Sequence, residues 1–579
     1  MGRASRQNLI VRSLVFSALV VATLPFSLSA QERRAADSID VTIVNVDVHV
    51  TDRKGNRVTG LRAEDFQVRE DGKEQPVTNF SEIVASAPDG TLSNEVAPRS
   101  PTRARRTIVL FIEPVILANF RSKQLYDGLR ELLRDTVAPG DQVSIVTFAR
   151  RARVQLEFTD DLSAIERTLG MIEAVSSGVE GRPLDESWSR FEEEASFEED
   201  YEEARQTMGF PPGDTSRPVM TGLAAARRQL FLIRQKAAAL ESLMQSISGA
   251  DGKKIVIMAT RRFGLYAGAE YFGGTVPGHY QQELDTLEFR QRLIRTANAH
   301  GITVYPVHPE GLLWNVDTGI FATDSSVSGA HRFGSSSGQD RERFSSPNQV
   351  LLNESAALQE VAHATGGITA WGSANIVEIL PRVGEDLGAY YSIGYRATAT
   401  GKDGARNVVV QTTNRDYVVR SRRQFVEKSD ETKMRDRVVA NLFQRVGSSS
   451  VGIPFEVVMG DYEKIGRNKW SVPVKILIPV GSLTTLTRER AGSAGEFSVY
   501  IATGGVLGVM SDVERKSQAF EIQAGEGEKA RAGHLTYEIT MNVDRAVKQL
   551  SIGVMDEVGK EYGIKRFSLP ERGSVGTAP

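Results

Sequence analysis

A glycine-flanked serine segment has the spacing of a hydrolytic nucleophile. Residues Gly334 to Gly338 read Gly-Ser-Ser-Ser-Gly, which fits a pattern that places a serine on a sharp turn between a strand and a helix. The surrounding segment 322–348 is rich in Ser, Gly and Arg and lacks the periodicity of either element. We therefore predict a long surface loop here and not a catalytic turn.

Residue types that bind metals or phosphates occur without the spacing that such sites require. The chain has no cysteine, which excludes thiol nucleophiles, cysteine-ligated metals and disulfides. The pairs His300 with His308 and His331 with His363 do not have the spacing of shared metal ligands. The glycines of 264–278 lack the Lys-Ser or Lys-Thr ending of a phosphate loop. We expect no cofactor.

Carboxylates are concentrated in the segment 178–215, which carries eight Asp and Glu residues between Glu192 and Glu203. Such a cluster is typical of a solvated helix face or a mobile excursion from a domain. A surface that attracts cations is the less favoured interpretation, because acidic runs specify little by themselves.

Length, charge and the first thirty residues limit the class of protein. A chain of 579 residues is expected to form about three or four domains, and a net charge of -3 gives no general attraction to nucleic acid. Residues 1–30 combine a basic start, an apolar run from Leu14 to Phe26 and small residues after it, which predicts a signal peptide cleaved after Ser29 or Ala30. An uncleaved anchor is the alternative, although the run is shorter than the ~20 residues that span a bilayer. We expect a secreted or periplasmic protein.

Apolar runs alternate with amphipathic segments between residues 107 and 428, which predicts an α/β doubly wound (Rossmann-like) domain around a mostly parallel sheet. We predict strands at residues 107–112, 142–148, 254–259 and 302–307. We predict helices at residues 122–136, 162–175, 219–246, 284–299, 355–365 and 376–387. The segments 178–215 and 322–348 are insertions in this domain.

Alternating apolar and polar residues predict β-sandwich modules on both sides of the α/β domain. The N-terminal β module is predicted at 37–86 and is followed by a Pro-, Ser- and Arg-rich linker at 87–106. After the α/β domain of 107–428, a C-terminal β-sandwich domain is predicted at 432–579.

The order of these segments resembles the von Willebrand factor A-related family of acidobacteria and neighbouring bacteria, from Val41 to Phe425. Each motif is short, so the resemblance depends on their shared order along the chain. The residues that carry it are Val50 to Gly55, Leu61, Asp65-Phe66, Thr107 to Ile112, Asn298 to Leu312, Thr365-Gly366-Gly367 and Tyr390 to Tyr395.

The resemblance implies a metal-ion-dependent adhesion site after the first strand of the sheet, and this sequence departs from it. The Asp-x-Ser-x-Ser motif of that site falls on Glu113, Val115 and Leu117. Aliphatic side chains cannot supply the oxygen ligands that a hard divalent cation needs. After the strand at 254–259, where a second carboxylate is expected, the chain reads Thr260-Arg261-Arg262. We therefore expect a degenerate site in which Glu113 pairs with Arg261 or Arg262 and no metal binds.

The favoured function is an exported, non-enzymatic protein that binds another protein, of unknown identity, through the edge formed by Glu113, Asn119, Arg261 and His308. We expect neither a nucleic acid partner nor stable membrane insertion after cleavage. One alternative is a cation-dependent adhesion module with unorthodox ligands from Glu113, Asn119 and Asp214. The other is an envelope hydrolase that uses Glu113 or carboxylates of the acidic insertion.

Overall fold

A strand without a single exposed side chain forms the centre of the α/β domain. Residues Arg106–Ile112 are all buried, as expected of a strand covered on both faces. Arg106 itself lies inside the predicted linker 87–106, but it starts this strand and is 4% exposed. It can be buried because its Nε donates to Asp141 Oδ2 over 3.1 Å, so the charge is neutralised where water is excluded.

The computed structural model describes residues 41–84, 105–114, 119–149, 151–176, 216–272, 275–308, 347–369, 376–398, 403–444, 446, 452–488, 492–505 and 507–569. The helices in these ranges are α1 (Asn119–Thr136), α2 (Leu162–Ser176), α3 (Ser216–Ser246), α4 (Gly278–Leu284), α5 (Leu287–His300), α6 (Pro347–Thr365), α7 (Ile376–Gly388), α8 (Asp430–Asn441) and α9 (Gly527–Arg531). The strands up to the start of α8 are β1 (Val41–Thr51), β2 (Phe66–Glu70), β3 (Lys73–Gln75), β4 (Val77–Val84), β5 (Arg106–Ile112), β6 (Gln142–Ala149), β7 (Arg151–Thr159), β8 (Lys253–Ala259), β9 (Ile302–Val307), β10 (Ala389–Thr398), β11 (Gly404–Thr412), β12 (Val418–Ser421) and β13 (Gln424–Glu427). The strands after α8 are β14 (Glu456–Met459), β15 (Glu463–Gly466), β16 (Lys469–Pro479), β17 (Leu486–Arg488), β18 (Gly492–Gly504), β19 (Glu514–Ile522), β20 (His534–Asp544), β21 (Gln549–Asp556) and β22 (Tyr562–Ser568).

The central sheet has the strand order β7-β6-β5-β8-β9. The four strands predicted from sequence are parallel to their neighbours, and β7 adds an antiparallel edge beside β6. Strand β7 was not among the strands predicted from sequence. Its alternation of Val154, Leu156 and Phe158 with polar residues carries the period of a half-buried strand.

Helices cover both faces of this sheet, as predicted. Helices α1, α2 and α7 pack on one face, and α3, α5 and α6 pack on the other, each group sharing a core with the strands. Gly301 ends α5 with a left-handed φ of 63°, and its N–H is bonded to the carbonyls of Ala297 and Asn298. Because this cap is tight, β9 begins at the next residue, Ile302. His308 directly follows the end of this strand.

The N-terminal strands form two sheets with strands that follow the α/β domain. One sheet has the order β12-β1-β10-β4 and the other has the order β13-β11-β2-β3, and both contribute to a single core. The pairing of β1 with β10 runs from Val41 opposite Thr398 to Val48 opposite Tyr391. The predicted boundaries at 37–86 and 107–428 assign these strands to separate domains, whereas the observed pairing joins them. Sequence periodicity identifies a strand but not its partner, which is why the boundaries differ.

The segment after α8 contains two further antiparallel sheets. In one, β16 lies between β14 and β20 and also pairs with β15, and in the other β18 pairs with β17, β19 and β21, with β22 beside β21. Their buried side chains share one core, and α8 packs against β18, β21 and β22 through Met434 and Val438.

Several predictions concern residues outside those that the structure describes. They are the signal peptide 1–30, the acidic insertion 178–215, most of the linker 87–106, the loop 322–348 before α6 begins at Pro347, and the Gly334 to Gly338 segment. Among the described helices, none is both long and apolar enough to cross a lipid bilayer.

Candidate functional site

The carboxyl ends of β5, β8 and β9 bring three predicted site residues to one edge of the sheet. The backbone ladder continues one residue beyond the strands, since Glu113 N donates to Ala259 O and Thr260 N donates to Val307 O. Glu113, Thr260 and His308 therefore follow three neighbouring strands at the same level. This edge is where open parallel sheets place their binding sites.

The ammonium group of Lys236 contacts both Glu113 and Thr260. Lys236 lies on α3, is 2% exposed, and its Nζ is 2.7 Å from Glu113 Oε2 and 2.9 Å from Thr260 Oγ1. A third contact of 2.8 Å joins it to the backbone carbonyl of Arg261. An ammonium has three N–H donors, and here each meets an oxygen. A carboxylate, a hydroxyl and a carbonyl thus surround a cation that belongs to the chain itself.

Glu113 is held as a carboxylate by the groups around it. Its Oε2 accepts hydrogen bonds from Thr260 Oγ1 at 2.8 Å and from the backbone N–H of Arg261 at 2.9 Å, besides that from Lys236. Burial alone would raise the pKa of Glu113, but the charge of Lys236 and these hydrogen bonds hold the pKa below its ordinary value.

The cation beside Glu113 is not the one expected from sequence. Arg261 reaches Glu113 through its backbone N–H, and Arg262 forms an ion pair with Glu270 at 3.7 Å. Lys236 lies 123 residues away from Glu113 along the chain, so local sequence gives no indication of the pair. The sequence of α3 did contain one indication that Lys236 has a buried partner. Lys236 lies between Ile233 and Leu240 on the apolar face of α3, and a charge on such a face requires a buried partner.

His308 is buried rather than presented to a partner. It is 5% exposed, and its Nε2 is 2.8 Å from Oε2 of Glu354 on α6, which is also buried. Burial alone would raise the pKa of Glu354, but the hydrogen bond with His308 and the charges of His308 and Arg261 hold the pKa below its ordinary value. The expectation that His308 lines a contact surface does not agree with this geometry, because the ring is buried and its Nε2 is hydrogen-bonded to Glu354.

Other residues predicted at this edge have no described side chain. Val115 and Leu117 lie outside the described residues, as does Asp214. Asn119 is the first residue of α1, but its side chain is not described. Within the described ranges, no group of three or more His, Asp and Glu side chains is placed to hold a metal ion.

The chain has little similarity to proteins of known family. No protein-family model matches it, and no curated protein matches its sequence. Among solved structures, it is similar to an aerotolerance-related membrane protein from Bacteroides fragilis, with 14% identity over 49% of this chain and 98% of the other and a TM-score of 0.21. It is also similar to a von Willebrand factor type A protein from Catenulispora acidiphila, with 9% identity over 88% of this chain and 74% of the other and a TM-score of 0.21. TM-scores this low do not establish a common fold.

Proposed function

We propose that this chain is an exported, non-enzymatic protein that binds another protein through a von Willebrand factor A-like domain without using a divalent cation. The edge beyond β5 and β8 is the binding surface, and the partly exposed Arg261 and Arg262 lie on it.

One observation carries this proposal. The Lys236 ammonium is bonded to a carboxylate, a hydroxyl and a carbonyl, which are the ligand types that magnesium and calcium prefer. A divalent cation at this position would be repelled by the Lys236 ammonium, and the three oxygens that could bind it already accept hydrogen bonds from Lys236. The same geometry argues against Lys236 as a catalytic base or nucleophile, since all of its donors are engaged.

Calorimetry tests the metal-independent part of the proposal. Titration of the wild-type protein with magnesium, manganese or calcium is expected to give no heat of binding. If a cation binds and its heat disappears in Glu113→Ala, the protein is instead a cation-dependent module with unorthodox ligands.

Affinity capture from the native cell envelope tests the protein-binding part. We expect a specific protein, identified by mass spectrometry, to be retained in the presence of EDTA and lost with Arg261→Glu. Lys475→Glu is the matched control, because Lys475 is an exposed cation on β16, and it should retain the same protein. Capture that requires magnesium, or that Arg261→Glu does not change, would contradict the proposal. Loss of a measured turnover in Glu113→Gln would instead support an envelope hydrolase.

A further inference from the structure

A cavity of about 620 Å³ lies at the amino edge of the central sheet, at the opposite ends of the strands from Lys236. The starts of β8 and β9, the last turn of α5, strands β1 and β10, and helix α8 all contribute to its wall. Its volume is that of a site for a small molecule. Ile43 on the wall is 50% exposed, so the cavity is open to solvent on that side.

Three side chains on this wall carry buried polar atoms that have no hydrogen-bond partner in the protein. They are Nζ of Lys253, both amide atoms of Asn298, and Nε of Arg422. Lys253 is 6% exposed and Asn298 is 2% exposed. Buried polar atoms are paired in nearly all folded proteins, so three such groups on one cavity indicate that a bound molecule or water completes them.

The charges on the wall favour an anion. Six lysine and arginine side chains and three aspartates line the cavity. Asp436 is already paired with Lys428, and Asp47 is 3.7 Å from Nζ of Lys253. Lys254 donates to the carbonyl of Ala250, and burial lowers its pKa to about 8. Burial also lowers the pKa of Lys253 and Arg422, and Lys433 is paired with Asp430. The wall carries twice as many basic as acidic side chains, and a bound anion would favour the charged forms of the buried ones.

Asn298 adds a requirement for a group that both donates and accepts hydrogen bonds. Its amide offers N–H donors beside a carbonyl acceptor, and a hydroxyl group matches both. We propose that this cavity binds a small organic anion that carries hydroxyl groups together with carboxylate or phosphate groups. Lys253 and Arg422 bind the anionic group, and Asn298 recognises a hydroxyl.

Calorimetry with defined probes tests this inference on the full chain. Citrate and glucose 6-phosphate each carry hydroxyl and anionic groups, and comparing them distinguishes a carboxylate ligand from a phosphate ligand. Tricarballylate is citrate without its hydroxyl group and tests the role of that hydroxyl. Glucose has hydroxyl groups but no charge and tests the role of the anionic group. We expect one of the two hydroxylated anions to bind with a Kd below about 1 mM and glucose not to bind. If citrate is the one that binds, tricarballylate should bind at least about tenfold more weakly, a difference of about 1.4 kcal/mol.

Variants locate the binding. Lys253→Met should weaken binding of the anion about tenfold or more, and Asn298→Leu should remove any preference for citrate over tricarballylate. Lys433→Met, at a partly exposed position of the wall, should weaken binding without a risk to folding, and Lys475→Met on β16 should bind like the wild type. The proposal is overturned if neither anion binds, which would mean that the cavity holds water, or if both wall lysine variants bind as tightly as Lys475→Met.

Discussion

Lys236 and Glu113 carry opposite charges inside the α/β domain, and each depends on the other to remain there. The Lys236 side chain is 3% exposed and that of Glu113 is 21% exposed. Removing Glu113 leaves a buried ammonium without compensation, and removing Lys236 leaves a largely buried carboxylate without its cation. The pair therefore acts as a unit, and its contribution to stability can be measured on the protein alone.

A double-mutant cycle measures this coupling. Lys236→Met and Glu113→Gln are each expected to lower the free energy of unfolding by about 3 kcal/mol, and the double variant by clearly less than the sum. Denaturant unfolding gives the four values, with Lys475→Met as a surface control that should change by less than about 0.5 kcal/mol. Strictly additive losses would show that the two side chains do not interact.

His49 on β1 makes stability depend on acid pH. Burial lowers its pKa from 6.5 to about 3, although Asp386 at 3.4 Å opposes the shift. Between these values the unfolded chain binds a proton that the folded chain excludes, so stability falls as pH decreases through this window, by up to about 1.4 kcal/mol per pH unit. His49→Gln should flatten the dependence of unfolding free energy on pH between 6.5 and 3. An unchanged slope in His49→Gln would exclude this assignment.

The sequence identified only part of the candidate site. Glu113 and Thr260 were predicted because each directly follows a buried strand, and both meet at the sheet edge. Lys236 was not predicted, because its contact with Glu113 depends on how a helix packs across the sheet. His308 was placed at the correct edge, but its burial depends on Glu354 of α6, which only the tertiary structure brings close.

At the scale of elements, local sequence predicted the C-terminal ends of helices and the positions of strands better than it predicted which strands pair. The predicted helix end at 365 is confirmed, since α6 ends at Thr365 and Gly366 follows it with a φ of 84°. The next residue, Gly367, is required for a different reason. A Cβ on Gly367 would lie 2.1 Å from the carbonyl oxygen of Val304 in β9, which is far inside van der Waals contact.

Gly367→Ala is therefore expected to displace α6 from β9 and to destabilise the protein by about 1–3 kcal/mol. Thermal unfolding with calorimetric detection measures the change. Gly278→Ala is the matched control, because a Cβ there meets no atom within 4 Å, and it should leave stability unchanged or slightly raised. Equal stability of the two variants would show that the contact between Gly367 and β9 relaxes without cost.

At the scale of the molecule, the two ends of the region from 41 to 427 combine into one pair of sheets around the α/β domain. Local patterns predicted a β module at 37–86, but no pattern in β1 identifies β10 as its neighbour. Valines 44, 46 and 48 in β1 are almost completely buried against residues that follow α7. The predicted domain of 107–428 is consequently not a self-contained segment of the chain.

Fragments test this dependence. A fragment of 105–428 lacks β1 to β4, which leaves β10 without either of its neighbours and β11 paired only with β13. We therefore expect it to aggregate or to unfold without a cooperative transition. A fragment of 41–428 retains both halves and should unfold cooperatively. Circular dichroism during heating distinguishes the two, and a cooperative transition of 105–428 at the temperature of the longer fragment would refute the dependence.

The long separation of β1 and β10 along the chain also determines when their sheet can form during synthesis. At about 5–20 residues per second, a ribosome needs roughly 20–70 s to make the ~350 residues between them. During that time β1 lacks both of its neighbours, β10 and β12. The sheet that contains β1 therefore stays incomplete until most of the chain has been translated.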